Sequence, residues 1–421
     1  DHGWRTPSSI FYFNSLFYLP LITHHLFHIG ASLIMGFSLV SLSIEAYKKI
    51  LSNRIDITFY FKLLSLVFIL IFFYRISEHG TDRSAQILSF LLVLEILLFI
   101  MKQQKFKNFL IKYLTLSSLI VSLKSFYFIY LIFVIPIIHF MYKEKEIYQI
   151  KNILKNSFFY FSIILIFLIL FINVMNTGCL IYPLKYSCFE NLSWSIPYDE
   201  IDKMAVHYES WSKAGSGFKF MVENPEKYIS NFNWVSGWTE RYFFNKVSDF
   251  LLGLILISVI FLFSLRSFKN TSSNKFNFNL IYFCMFVLLF EWFYNHPSLR
   301  YGGYSLIGII FFLITCKFLP NTNVNKKFLG RVSVLILIAV SIFLYRNFDR
   351  LVSEYQKYDY NPLINAFYFV DEHHFRVEKD FLFFTDFYKN CTKKKKICDN
   401  NSGLIAYKYY GKFIFVRKNR K

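Results

Sequence analysis

Charge is what this sequence is short of. Only 18% of its 421 residues are Asp, Glu, Lys or Arg, and acids are the scarcer sign, 27 against 47. The 55% that are apolar fall in long blocks rather than alternating with polar residues, which excludes a soluble core. No secretory signal pattern opens the chain, since DHGWRTP is polar. Cysteine is sparse as well, six in all, so the position of each one carries information. Phe, Ile, Leu, Asn, Lys and Tyr dominate throughout, as AT-rich coding would make them, so their placement means more than their abundance.

What is present is a series of ten apolar blocks, at 26–44, 57–74, 84–101, 109–123, 126–142, 157–174, 250–265, 278–294, 304–318 and 332–345. A membrane span takes about 20 residues and tolerates about 17, so most of these qualify or nearly do. Only Lys124 and Ser125 separate the fourth block from the fifth, which reads as a tightly paired or re-entrant couple. The links 45–56, 102–108, 143–156, 266–277 and 317–331 carry 17 Lys and Arg against four acids, Glu45, Asp56, Glu144 and Glu146. The links 75–83, 175–249 and 295–303 carry 10 against 11. In a chain of formal charge +20, the positive-inside rule assigns the first set to the cytoplasm and the second to the outside. Alternation then holds throughout, provided 109–123 goes out and 126–142 comes back.

The same topology places Cys179, Cys188, Cys391 and Cys398 outside, either as two disulfides in an oxidising periplasm or as four unrelated thiols. The expected fold is an all-α polytopic membrane protein of about nine or ten apolar segments in the bacterial inner membrane, with a large outer loop. Its parts are an N-terminal membrane part with an outer interfacial helix (1–174), an extracytoplasmic loop (175–249), C-terminal membrane helices (250–345) and an extracytoplasmic tail (346–421). The runs FLFFTDF and GLIAYKYYGKFIFVRK give that tail a small α/β or β-containing character. Residues 1–25 lie outside if 26–44 runs inward, so at least one further span is expected upstream.

Chemistry is expected where four outer stretches converge: the N-terminal segment, the 78–83 link, the long loop and NHPSLRYGG at 295–303. Glu78 and Asp82 are four residues apart, so both carboxylates face one side if the link is helical. One of them suits a general base whose basicity is raised by a dry, acidic neighbourhood; the other reading is surface ion pairing with Arg83. Arg300 is the lone cation of its link and is shaped to hold a phosphate, or else it snorkels at the interface. His296, Tyr301, His79, Arg83 and Arg5 complete the substrate-binding candidates. His24 and His28 have a metal-ligand spacing without a carboxylate or Cys nearby, so no metal site is assigned there and a divalent cation stays open. Glu95 and Glu291 are intramembrane polar contacts or supporting residues. Four of the six Trp lie in the loop, where they serve either packing or sugar stacking. The lysines of CTKKKKIC fit an anionic lipid surface rather than nucleic acid.

The segments HGWRTPSSIFYFNSLFYLP, EHGTD at 78–82, TGCLIYPLKYSCF with WSIP at 177–197, and HPSLRYGGY at 296–304 carry a family resemblance. The chain resembles bacterial polytopic membrane proteins of surface-polysaccharide biosynthesis, which look like members of the GT-C glycosyltransferase superfamily. That resemblance implies a GT-C-like bundle, catalysis at the outer face, a polyprenyl-phosphate-linked sugar donor and a lipid or glycan acceptor. It also implies an acidic base in the first outer loop, which this sequence largely lacks. Asp82 matches the acid of a later outer loop, and Arg300 matches a rim position suited to the donor phosphate. The competing readings are a polysaccharide polymerase or ligase, and a lipid-linked glycan transporter. The transporter reading calls for internal pseudo-repeats and charges along a mid-membrane path, and the sequence offers neither.

Overall fold

In the computed structural model the described residues are 7–17, 28–75, 81–215, 222–266, 278–358, 398–399, 404–409 and 412–417. Helices make up most of the described chain before residue 359: α1 (Ser9–Ser15), α2 (Ile29–Leu51), α3 (Ile57–Phe72), α4 (Thr81–Ile100), α5 (Phe106–Leu123) and α6 (Ser125–Lys143) come first. They are followed by α7 (Ser157–Thr177), α8 (Tyr198–Lys213), α9 (Pro225–Ile229), α10 (Val235–Leu265), α11 (Asn279–Asn295), α12 (Gly303–Lys317) and α13 (Lys326–Tyr358). Seven of these, α2, α4, α5, α6, α7, α10 and α13, are long and apolar enough to cross a membrane, and α3, α11 and α12 are shorter apolar helices. The chain is a multi-pass helical membrane protein.

The shorter helices have a physical reason to be short. At about 1.5 Å per residue, the 16 residues of α3 span roughly 24 Å, less than the hydrocarbon thickness. They need not match it, because α3 meets protein rather than lipid: every residue from Ile57 to Leu70 is buried. Most of α4 and α12 is buried in the same way. Helices that are apolar all round belong at such a centre. Phe68 of α3 marks it, with ring centroids 4.8 Å from Phe90, 5.6 Å from Phe312 and 6.1 Å from Phe250. The outer helices instead expose apolar side chains, such as Phe37 on α2, Phe167 on α7, Phe263 on α10 and Leu337 on α13, as lipid-facing surfaces do.

Capping and pairing sort the links into two ends. Asp56 starts α3 by accepting from the backbone N–H of Thr58 and Phe59. Lys49 donates to Asp56 and to Gln103, Lys102 pairs with Glu144, and Asn53 accepts from the Val324 N–H. The links 45–56, 102–108, 143–156 and 317–331 therefore share one end of the bundle. At the other end Ser9 bonds Ser122, Asn173 donates to Ser125, Trp238 donates to the Pro297 carbonyl, and Asp82 meets Lys124 and Arg300. This is the grouping that charge counting expects.

The 175–249 segment is built rather than loose. Gly178 ends α7 at φ +78°, where a Cβ would fall 2.8 Å from the Ser195 Cα. Cys179 and Cys188 form a disulfide, and α8 starts directly after Pro197. Trp234 and Trp238 are buried, whereas Trp194 is half exposed, so packing accounts for two of the four. Helix α1 exposes Phe11, Tyr12 and Phe13, which fits an interfacial segment. Residues 350–421 form a separate unit. Beyond the end of α13, its described residues are three short antiparallel strands, β1 (Cys398–Asp399), β2 (Leu404–Tyr409) and β3 (Lys412–Arg417). Cys391 lies outside the described residues.

The sorting of links is open to labelling. In a chain with Cys391 and Cys398 replaced by Ser, Asn191→Cys reacts with an impermeant maleimide in intact cells. Lys105→Cys reacts only after permeabilisation. Labelling of both from the same side would overturn the two-ended arrangement.

Candidate functional site

Between Asn295 and Gly303 the α-helical backbone is interrupted, with a single 3-10 turn at Leu299–Tyr301, at the end of a membrane bundle, so its polar groups need partners. The surrounding helices supply them. Trp238 Nε1 donates to the Pro297 carbonyl at 2.7 Å, Trp292 Nε1 donates to the Ser298 carbonyl at 2.8 Å, and the Leu299 N–H donates to the Tyr242 hydroxyl at 2.9 Å. Gln86 of α4 works in both directions, donating to the Arg300 carbonyl at 2.9 Å and accepting from the Ser305 N–H at 3.0 Å. Trp238 and Tyr242 are four residues apart on α10, where the helix passes through a π-helical stretch, Thr239–Val247. Such widened turns recur at functional sites.

The link turns sharply at its end. Gly302 has φ +97°, and a Cβ on Gly303 would fall 2.6 Å from the Trp292 ring. Only glycine meets both demands at low strain. The result is that Arg300 and Tyr301 project over the start of α4.

Asp82, in the first turn of α4, is buried, and each of its carboxylate oxygens faces a cation. Oδ1 accepts from Lys124 Nζ, and Oδ2 accepts from Arg300 Nε at 2.5 Å. The two cations differ in exposure: the Lys124 side chain is 24% accessible and the Arg300 side chain 62%. Lys124 also lies 4.2 Å above the Tyr301 ring, a contact in which the ring face stabilises the ammonium. Around Tyr301 stand His296 at 5.8 Å and Trp211 of α8 at 6.2 Å between ring centroids. Burial draws the Lys124 ammonium below its ordinary value despite the Asp82 carboxylate, and Arg300 adds to that direction. Burial likewise pushes Tyr301 up to about 12, with Asp82 adding to it. His296 falls to about 4 through burial, with Lys124 and Lys213 acting the same way. Its imidazole is therefore neutral near pH 7.

Of the sequence candidates, Asp82, Arg300, Tyr301 and His296 come together. Arg83 follows Asp82 on α4 and is half-buried. Glu78, His79, Arg5 and His24 lie outside the described residues. Glu291 accepts from Asn295 at 3.1 Å, and Glu95 sits towards the other end of α4, paired with Lys112 at 2.9 Å. The expected acidic surrounding of Asp82 is replaced, among the described residues, by two cations. Among them also, no three His, Cys, Asp or Glu gather closely enough to hold a metal.

Residues 6–307 match the model of a domain family of unknown function, DUF8201. The chain belongs to the DUF8201 family. The DUF8201 match contains Asp82, Lys124, His296 and Arg300 and ends early in α12. No curated protein and no solved structure matches the chain.

Sequence reasoning missed Lys124, Gln86 and Tyr242, while Trp238 was read among the loop Trp as packing or sugar stacking. Lys124 did carry a signal: it stands alone between two apolar blocks, at an outer turn.

The depressed His296 value has a pH consequence. An unfolded chain takes up a proton near 6.5 that the buried imidazole refuses until about 4, so acid favours unfolding between those values. The detergent-solubilised protein is expected to lose thermal stability as pH falls through that window. His296→Gln should lose less, by up to about 3 kcal/mol. Parallel curves for the two proteins would remove His296 as the cause.

Proposed function

We propose that this protein is a membrane glycosyltransferase that moves a sugar from a polyprenyl-phosphate-linked donor to a lipid or glycan hydroxyl in cell-surface polysaccharide biosynthesis. The observation that carries the reading is the buried Asp82 carboxylate between Lys124 and Arg300 at one rim of the bundle, beside the aromatic faces of Tyr301 and Trp211. Cations at a membrane rim suit a lipid-borne phosphate, and aromatic faces suit a sugar ring. The resemblance of EHGTD and HPSLRYGGY to GT-C-like proteins supports the same chemistry.

The roles that fit this arrangement are as follows. Arriving donor phosphate takes over the Arg300 guanidinium, which is the more accessible of the two cations. Asp82 Oδ2, released from Arg300, accepts the proton of the acceptor hydroxyl. The acceptor oxygen bonds to the anomeric carbon, the bond from that carbon to the phosphate oxygen breaks, and its electron pair leaves with the phosphate. Arg300 and Lys124 stabilise the charge that develops there. Lys124 stays on Oδ1 and keeps the carboxylate oriented.

Placement of this site on the periplasmic face of a bacterial inner membrane has two supports. The links at the Asp82 end are the ones poor in Lys and Arg. The Cys179–Cys188 disulfide follows α7 at that end, as an oxidising compartment allows.

The test is a transfer assay in native membranes with a radiolabelled polyprenyl-phosphate sugar. Arg300→Ala and Asp82→Asn should each lower turnover by about a hundredfold or more. Arg300→Lys should recover part of the loss. Unchanged transfer and unchanged surface glycan in folded variants would sink the assignment.

A further inference from the structure

Helix α4 joins two polar clusters. Leu98 is 16 residues beyond Asp82, about 24 Å along the helix, and it lines a cavity of about 290 Å³ at the opposite end of the bundle. Lys49 of α2, Lys62 of α3 and Lys112 of α5 line the same cavity, with Gln103, Gln104, Asn108 and a single carboxylate, Glu45. Lys49 and Lys112 are engaged by Asp56 and Glu95. Lys62 is different: its side chain is 1% exposed, and its oxygen partners among the described residues, both from Glu45, lie at 3.5 and 3.8 Å. Charge-assisted bonds to oxygen are ordinarily about 2.7–2.9 Å. A buried ammonium held this loosely, beside two further lysines and three side-chain amides, is a poor structural ion pair and a good anion contact.

Depth narrows the ligand. Lys62 is five residues into α3, roughly 7–8 Å below its start, about where the headgroup region meets the hydrocarbon. Basic pockets between helices at that level bind phosphorylated headgroups. We propose that this pocket binds a phosphate-bearing anion, with Lys62 as the buried contact and Lys49, Lys112 and Asn108 at its rim. The source is either an anionic phospholipid headgroup or a soluble phosphate. The site is independent of the chemistry assigned to Asp82.

The experiment is thermal unfolding of the full chain in neutral detergent. Phosphatidylglycerol is titrated against phosphatidylcholine, and inorganic phosphate against chloride at equal ionic strength. A rise in the unfolding midpoint is expected with phosphatidylglycerol, with phosphate, or with both. A response to the lipid alone identifies the headgroup as the source, and a response to phosphate alone identifies a soluble ligand. Lys62→Gln should shift the titration midpoint about tenfold upward. Because Lys62 is buried and its replacement risks misfolding, Lys112→Gln at the accessible rim is the second variant, with a shift of about threefold. No response to either anion, or titrations unchanged in every variant that folds, would overturn the proposal and leave the cavity to water.

Discussion

A carboxylate buried at the end of a membrane helix needs cations to stay there, and the architecture around Asp82 follows from meeting that need. Asp82, Lys124 and Arg300 come from three links separated by 42 and 218 residues in sequence. Bringing them together requires that 75–83, 124–125 and 295–303 share one end of the bundle. That requirement fixes the direction of α4, α5, α6 and α12 at once. Removing one partner of a buried pair leaves an uncompensated charge, at about 3–5 kcal/mol, so the arrangement specifies which helix ends meet even if its net stabilisation is small.

The 295–303 link shows what holding Arg300 in place demands. Its backbone is irregular at a depth where water is scarce, and α4, α10 and α11 each give it a side-chain partner. Tyr242 and Trp238 are thus indirect determinants of where Arg300 sits. Their effect works through backbone position. A membrane protein can place non-helical chain at such a rim only where neighbouring helices take up its hydrogen bonds.

Much of this was legible in the sequence because bilayers impose long-range patterns. Block length gave the helices, and the bias of Lys and Arg gave the grouping of links, since both act over whole segments. Asp82, His296, Arg300 and Tyr301 were legible as ionisable or polar residues near a rim. Lys124 was not singled out because a lone lysine between two apolar blocks looks like a turn marker, and only the packing of α5 against α4 brings it to Asp82. Lys62 was hidden for the opposite reason: one charge inside an apolar run barely lowers its hydrophobicity, although burial makes that charge costly. Gln86 and Tyr242 carry no periodic signal at all, because what they satisfy is the backbone of a segment over 50 residues away.

The two arms of the Asp82 cluster are not equivalent, and their difference bears on how the site works. Lys124 is mostly covered and lies against Tyr301, so its bond to Oδ1 is sheltered from solvent screening. Arg300 is 62% accessible, and an ion pair that exposed is worth about 0–1 kcal/mol. An incoming anion therefore meets little resistance in exchanging Asp82 for itself on Arg300, whereas displacing Lys124 would strand a buried carboxylate. In the proposed reaction the sheltered arm keeps the carboxylate in place while the exposed arm trades partners. A pair of equally buried arms would hold the cluster shut, and a pair of equally exposed ones would not position it.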